Sequence, residues 1–177
     1  MSATSPSPAH ARFELVCAKQ DFKVAAAHFC AHGGGRERLH GHNYALSVRV
    51  VGTASADGCV VDFSELKAAV RALARELDER FLCAADSADV RASVSATGQL
   101  ELRVVADGAF FSMPATDAAL LPLRNTTVEE LSAHLARALV ERLGRARLRE
   151  RGVDALTLGV AESAGQEALY TVELGGA

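Results

Sequence analysis

Apolar residues alternate with polar ones near both ends of the chain and recur every three or four residues in between. Phe13, Leu15 and Cys17 share one parity; beyond Lys19-Gln20-Asp21 the other parity takes over with Phe22, Val24, Ala26 and His28. Period two puts alternate side chains on one face, so 13–29 reads as a long strand or a hairpin. Tyr44, Leu46, Val48 and Val50 predict a second strand over 44–51, and beyond the Asp57-Gly58 turn 59–63 continues as strand. Ser64 then stands as N-cap to Leu66, Ala69, Val70, Leu73 and Leu77, whose spacing predicts a helix over 64–80. A second helix, 128–149, carries Val128, Leu131, Leu135, Leu139 and Leu143, with Asn125 and Thr126 as capping candidates and Gly152 as its stop. Its far end is crowded with Arg142, Arg145, Arg147, Arg149 and Arg151, which reads as a solvated terminus complementing the helix dipole. Leu156, Leu158 and Val160 alternate into Glu162, and past the Gly165 turn 168–174 forms the last strand.

Between the helices, 90–94 and 100–104 flank Ala96-Thr97-Gly98-Gln99 and predict a β-hairpin, closed by Phe110-Phe111 and Met113-Pro114. It reads as an insertion over about 83–121. The element order is β-β-α-(hairpin)-α-β-β, an α+β domain with two helices packed on one face of an antiparallel sheet.

Composition narrows the function classes. The chain has 177 residues, enough for one domain with a proper core, and 49% hydrophobic with 23% charged residues is ordinary for a globular protein. A net charge of -3 speaks against a nucleic-acid partner, and 5% aromatics without Trp speaks against single-strand stacking. No apolar run approaches the ~20 residues that span a bilayer. Residues 1–10, rich in Ser, Pro and Ala and without signal-peptide features, read as a disordered tail, leaving 11–177 as a single domain. Cys17, Cys30, Cys59 and Cys83 lack CxxC spacing, so reduced, buried thiols and a cytoplasmic location are expected.

The chemistry gathers at Leu39-His40-Gly41-His42-Asn43-Tyr44. Residues i and i+2 of a strand share a face, so His40 and His42 can aim both imidazoles at one point. A catalytic zinc takes three protein ligands and keeps one position open. His28 lies on the apolar face of its own strand and is the third candidate. Alone it would read as a core histidine satisfied by a backbone carbonyl. Glu162 continues the parity of Leu156, Leu158 and Val160, and a core-facing carboxylate needs a partner.

Residues 22–28, the LHGHNY stretch, Val60-Val61-Asp62-Phe63 with Leu66-Lys67, Leu77-Asp78, Thr127 with Glu129, and Ala161-Glu162 together resemble the 6-pyruvoyltetrahydropterin synthase / 6-carboxytetrahydropterin synthase family. The matches run in family order over most of 22–170. The resemblance implies a T-fold subunit, a four-stranded antiparallel sheet with two helices, assembling into a multi-subunit barrel that is commonly a homohexamer. It implies a zinc ion on His28, His40 and His42 and action on the side chain of 7,8-dihydroneopterin triphosphate. It places Glu162 on the aminopyrimidine edge of the pterin, with Thr127 and Glu129 near the pterin pocket. A carboxylate can accept from both donors of that edge at once.

Two departures leave the reaction open. Members that make the pyruvoyl or carboxy product carry a cysteine shortly before the first His of HGH, whereas 33–39 here contain none. Cys30 could reach the site only if the Gly33-Gly34-Gly35 loop doubles back. Glu37 is the better candidate base, because some members with a glutamate in this loop cleave the side chain to a 6-hydroxymethylpterin by a retro-aldol step. The competing reading leaves Glu37 as a solvated charge between Arg36 and Arg38. The family's Leu-Asp-His relay is here Leu77-Asp78-Glu79, and a carboxylate at Glu79 can carry a proton where burial raises its pKa. His134 on the second helix is a possible substitute, although a surface histidine is the plainer reading. Two functions therefore stand side by side. One is a zinc-dependent pterin lyase using Glu37, Asp78 and Glu79. The other is a non-catalytic T-fold protein that binds zinc and a pterin.

Overall fold

A computed structural model describes residues 12–175; the expected tail at 1–10 lies outside the described residues. Strand β1 (Arg12–His28) is one 17-residue strand rather than a hairpin. A short hairpin, β2 (Ala31–His32) and β3 (Gly35–Arg36), leads into β4 (His40–Thr53). β1 and β4 pair antiparallel along their length, but residues 19–22 of β1 stand opposite the single residue Leu46. That bulge moves the buried parity from Cys17 to Phe22, Val24, Ala26 and His28. The parity change in the sequence is thus a bulge within one strand.

Residues 59–63 do not form the expected strand. Val60 and Val61 are buried in an irregular connection pinned by Arg151, whose Nε donates to the Val60 carbonyl at 3.0 Å, and Phe63 already belongs to helix α1 (Phe63–Leu77). Asp62, not Ser64, is the N-cap, its Oδ1 accepting from the Ser64 N–H at 2.7 Å. The helix stops three residues short of Arg80 because Asp78 and Glu79 are captured by β1. Asp78 accepts the Ala25 N–H at 2.8 Å, and Glu79, at φ 58°, donates its N–H to the Ala25 carbonyl at 2.7 Å.

β5 (Arg80–Ala84) then joins the main sheet parallel to β1. β6 (Val90–Val94), β7 (Gln99–Val104) and β8 (Phe110–Pro114) form a separate three-stranded antiparallel sheet, one strand more than the predicted hairpin. β9 (Ala118–Leu121) returns to the main sheet parallel to β5. The main sheet is therefore mixed and six-stranded, in the order β11-β10-β4-β1-β5-β9, and the insertion is narrower than 83–121. Short apolar runs such as Phe81-Leu82-Cys83-Ala84 show no alternation, which is why they carry no strand signal of their own.

Helix α2 (Val128–Leu143) buries Leu131, Leu135, Leu139 and Leu143 as expected, but its N-cap is Thr127, with neither Asn125 nor Thr126 in that role. It breaks at Gly144 (φ 86°), and α3 (Arg145–Glu150) forms a separate short helix beyond it. The arginines here are not merely solvated: Arg142 pairs with Glu76 at 2.5 Å, Arg147 with Glu65, and Arg151 with Asp57 at 2.6 Å. β10 (Val153–Ser163) and β11 (Gln166–Glu173) complete the four antiparallel strands that the alternation predicted. All three helices pack against the face carrying Phe22, Tyr44, Leu46, Val48, Leu156, Leu158 and Val160. Cys17, Cys30 and Cys83 are buried free thiols, while Cys59 is exposed against expectation, because it sits in the loop before α1.

One glycine tests this packing. A Cβ on Gly52 would stand 2.5 Å from the Gly152 carbonyl oxygen and 3.0 Å from the Val153 Cα, where β4 meets the start of β10. Backbone cannot yield as a side-chain tip does, so Gly52→Ala is expected to lower stability by about 1–3 kcal/mol in urea unfolding, with the histidine cluster at the other end of β4 intact.

Candidate active site

The pairing register builds the site. His28 ends β1 directly across from His40 at the start of β4, and His42 lies across from Ala26 on the same face. Gly41 turns to the opposite face, where a Cβ would come within 3.2 Å of the Ala26 carbonyl oxygen. The three imidazoles converge, with ring centroids 4.6–5.2 Å apart. One nitrogen from each lies within 4.8 Å of the others, and they form the one His/Cys/Asp/Glu group of metal-binding geometry among the described residues.

Hydrogen bonds set the tautomers. His28, buried at 1% exposure, directs Nδ1 at the Thr126 carbonyl at 3.1 Å. A carbonyl only accepts, so Nδ1 carries the proton and Nε2 presents its lone pair. That Nε2 is buried with no hydrogen-bond partner among the described residues. An orphaned buried acceptor is costly, and in this setting it is the signature of a metal ligand held by an outer hydrogen bond. His40 repeats the arrangement, its Nδ1 donating to the Arg38 carbonyl at 2.7 Å. The donor set thus fits a metal ion.

Burial, with the nearby His40 imidazole adding to it, pushes the His28 pKa down to about 4. In metal-free protein the unfolded chain takes up this proton below about 6.5 while the folded chain refuses it down to about 4. The His28 contribution to stability should therefore fall as pH drops through that window, by roughly 3 kcal/mol in all. Urea midpoints of chelator-treated protein between pH 7 and pH 4 measure this; a flat profile would contradict it.

The glycine loop does double back. β2 and β3 pair antiparallel about Gly33 (φ 61°) and Gly34 (φ 79°), both in the left-handed region that glycine tolerates. Cys30 and Glu37 are thereby brought together: the Glu37 N–H donates to the Cys30 carbonyl at 2.9 Å, and the Cys30 N–H donates to Glu37 Oε2 at 3.1 Å. The bond from the Cys30 N–H, assisted by His40, holds the Glu37 carboxyl below the ordinary carboxylate range. Burial and the adjacent Glu37 charge push the Cys30 thiol up to about 11. A thiol so placed stays protonated at neutral pH and is a poor nucleophile.

Glu162 is the bulged residue of β10, between Ala161 and Ser163, and points its Oε1 to within 3.9 Å of His42 Nε2. The other expected residues make no hydrogen bond to the histidine cluster among the described residues. Thr127 accepts the Glu130 N–H at 3.4 Å as cap of α2, and Glu129 is exposed in its first turn. Asp78 and Glu79 are exposed at the α1–β5 junction, with Asp78 engaged on Ala25; among the described residues neither hydrogen-bonds to the histidines or to Glu37. His134, on α2, lies near Arg137 and Glu76, apart from the cluster.

Sequence reasoning missed the roles of Asn125 and Thr126. Asn125 clamps Ala31 by accepting its N–H at 3.3 Å and donating to its carbonyl at 3.1 Å. Thr126 orients His28 and donates its hydroxyl to the Phe29 carbonyl at 3.1 Å. In sequence both look like capping residues, and nothing local separates the two uses. Tyr44, the last residue of the LHGHNY stretch, also borders the site: its ring lies 5.4 Å from His42, its buried hydroxyl has no hydrogen-bond partner among the described residues, and burial beside Glu162 raises its pKa.

Known proteins share the sequence pattern and the fold of this chain. A Methanocaldococcus jannaschii protein provisionally named 6-carboxy-5,6,7,8-tetrahydropterin synthase is 27% identical over 133 residues, 75% of this chain and 78% of its own length. The 6-pyruvoyltetrahydropterin synthase of Plasmodium vivax, solved as a variant with a catalytic glutamate replaced by alanine, superposes with a TM-score of 0.88 at 30% identity. The Plasmodium falciparum enzyme gives the same score at 29% identity; in both cases 93% of this chain and 99% of the other are covered. The family model described as 6-pyruvoyl tetrahydropterin synthase matches residues 17–173, which span both histidine strands, Glu37 and Glu162, and the chain belongs to that family.

Proposed function

We propose that this protein is a zinc-dependent lyase that cleaves the side chain of 7,8-dihydroneopterin, free or as its triphosphate, to a 6-hydroxymethylpterin by a retro-aldol step. The observation that carries the reading is the loop geometry: an ionised Glu37 is folded beside the histidine cluster, while the neighbouring Cys30 thiol is buried and protonated. The Plasmodium vivax relative has a catalytic glutamate, which supports giving that role to Glu37.

In this reading His28, His40 and His42 hold the zinc, which as a Lewis acid would acidify the side-chain hydroxyls. Glu37 takes the proton from the 2′-hydroxyl. The C1′–C2′ bond then breaks, C2′ leaves as an aldehyde fragment, and the electron pair passes to C1′ and into the conjugated ring imine. Return of the proton to C1′ yields the hydroxymethyl product. Glu162 accepts from N3–H and the 2-amino group of the pterin, and Thr127 and Glu129 line the approach. Asp78 and Glu79 pass protons to solvent from a neighbouring copy; their exposure suits a site at a subunit boundary in a homohexameric T-fold barrel in the cytoplasm. No described helix is long and apolar enough to cross a membrane.

The test is a product assay. Zinc-loaded protein is incubated with dihydroneopterin, with and without triphosphate, and the products are identified by mass spectrometry. A 6-hydroxymethylpterin with a two-carbon aldehyde fragment is expected. A product keeping all side-chain carbons would replace the retro-aldol step by the pyruvoyl outcome. Tight pterin binding without any product would favour the non-catalytic binder.

A further inference from the structure

We propose that Arg36, anchored on the separate three-stranded sheet through Asp107 and Phe111, is the positioning residue that holds the Glu37 loop against the histidine cluster. The inference rests on the reading of Glu37 as the base.

The loop cannot hold itself. β2 and β3 contribute two residues each, joined through two glycines, and so small a hairpin is marginal in water. Two of its restraints are internal, the paired hydrogen bonds between Cys30 and Glu37. The Cys30 N–H engages only Oε2 of the carboxylate, which leaves Oε1 for substrate, so the base works only while the loop keeps its place. From outside the hairpin Asn125 clamps Ala31 in β2, and Arg36 fixes the backbone of Glu37 itself. Its Nη1 donates to the carbonyl of Glu37 itself at 3.1 Å, and its Nε donates to Asp107 at 3.0 Å. Its guanidinium lies 5.3 Å from the centre of the Phe111 ring, within cation–π range.

The anchor is built rather than incidental. Asp107 is itself fixed, its other oxygen accepting the Ala109 N–H at 2.9 Å. Phe111 stacks on Phe29 at 5.1 Å and 26°, and the Phe29 carbonyl receives the hydroxyl of Thr126, which orients His28. One continuous set of contacts thus runs from the separate sheet to both the base and a metal ligand. Arg36 is the covered partner of its ion pair, at 23% exposure against 47% for Asp107. An ordinary surface pair adds little to stability; this one acts by fixing a backbone carbonyl one residue away. Lysine could keep the charge pair but lacks the planar fork that serves Asp107 and Glu37 together.

The experiment combines catalysis with amide hydrogen exchange on the full chain. Arg36→Ala should lower kcat by about tenfold to a hundredfold with little change in KM, the scale of a displaced catalytic group. Arg36→Lys should recover only part of that loss. In a Glu37→Gln background Arg36→Ala should cost nothing further, since the group it positions is gone. Exchange should quicken at 30–38 and stay unchanged along β4 and α2. An equal loss in both backgrounds would overturn the positioning role while leaving Glu37 as base. Full activity of Glu37→Gln would instead remove the base assignment, and exchange then decides whether Arg36 holds the loop. Unchanged exchange at 30–38 would overturn the inference whatever the kinetics.

Discussion

Zinc-loaded protein carrying Glu37→Gln is expected to bind dihydroneopterin as the parent does and to convert it about 10²–10⁴-fold more slowly, the range lost with a general base. The substitution is nearly isosteric. The amide oxygen can still accept the Cys30 N–H, and the Glu37 N–H to Cys30 carbonyl bond belongs to the backbone. The loop therefore keeps its shape, and what disappears is the capacity to take a proton. Cys30 offers no substitute, because burial, the largest cause of its raised pKa, still disfavours the thiolate once the Glu37 charge is gone. Steady-state kinetics with a fluorescence binding curve measure both quantities. A kcat within a few-fold of the parent would remove Glu37 from the mechanism.

The second large effect concerns the metal. His40→Ala should abolish stoichiometric zinc binding while leaving the metal-free fold unchanged. His40 is exposed, and its one hydrogen bond, to the Arg38 carbonyl, is to a group that water can satisfy. His28 would make a poorer probe because it is fully buried, so its removal also opens a cavity. A ligand that binds only the folded state stabilises it by about 4 kcal/mol at a thousandfold excess over Kd. Zinc should thus raise the melting temperature of the parent, and a chelator should reverse the rise. In His40→Ala neither addition should move it, and metal analysis after dialysis should find well under one zinc per chain. Retention of one tightly bound zinc would show that the site is built from other groups.

Much of the fold is legible in the residues alone. The inward alternation on four strands, the apolar stripes of both long helices and the two-residue spacing of His40 and His42 all survive in three dimensions. Each is a local periodicity that burial of one face enforces. Some of the expectations that failed did so for equally local reasons. Asp62 and Ser64 both suit an N-cap, and only the helix axis decides between them. Gly144 could have ended α2 on sequence alone, since a left-handed residue is where helices stop. β5 and β9 have no alternation to read, so they became part of an overlong insertion.

Spacing along a single strand was enough to predict that His40 and His42 face one way and to set Glu162 on the parity of Leu156, Leu158 and Val160. The missing cysteine before the histidine pair was equally plain from the order of residues. Strand geometry alone dictates these facings. Contacts between distant parts of the chain settled the rest. The β1–β4 register sets His28 across from His40, and a bulge of residues 19–22 turns that histidine inward. A carbonyl on Thr126, 98 residues away, chooses its tautomer. The glycine hairpin folds Glu37 onto Cys30, and Arg36 ties it to a sheet that reads as mere decoration in sequence. Register, tautomer and loop position are all fixed by partners far along the chain, and no local pattern of residues encodes a distant partner.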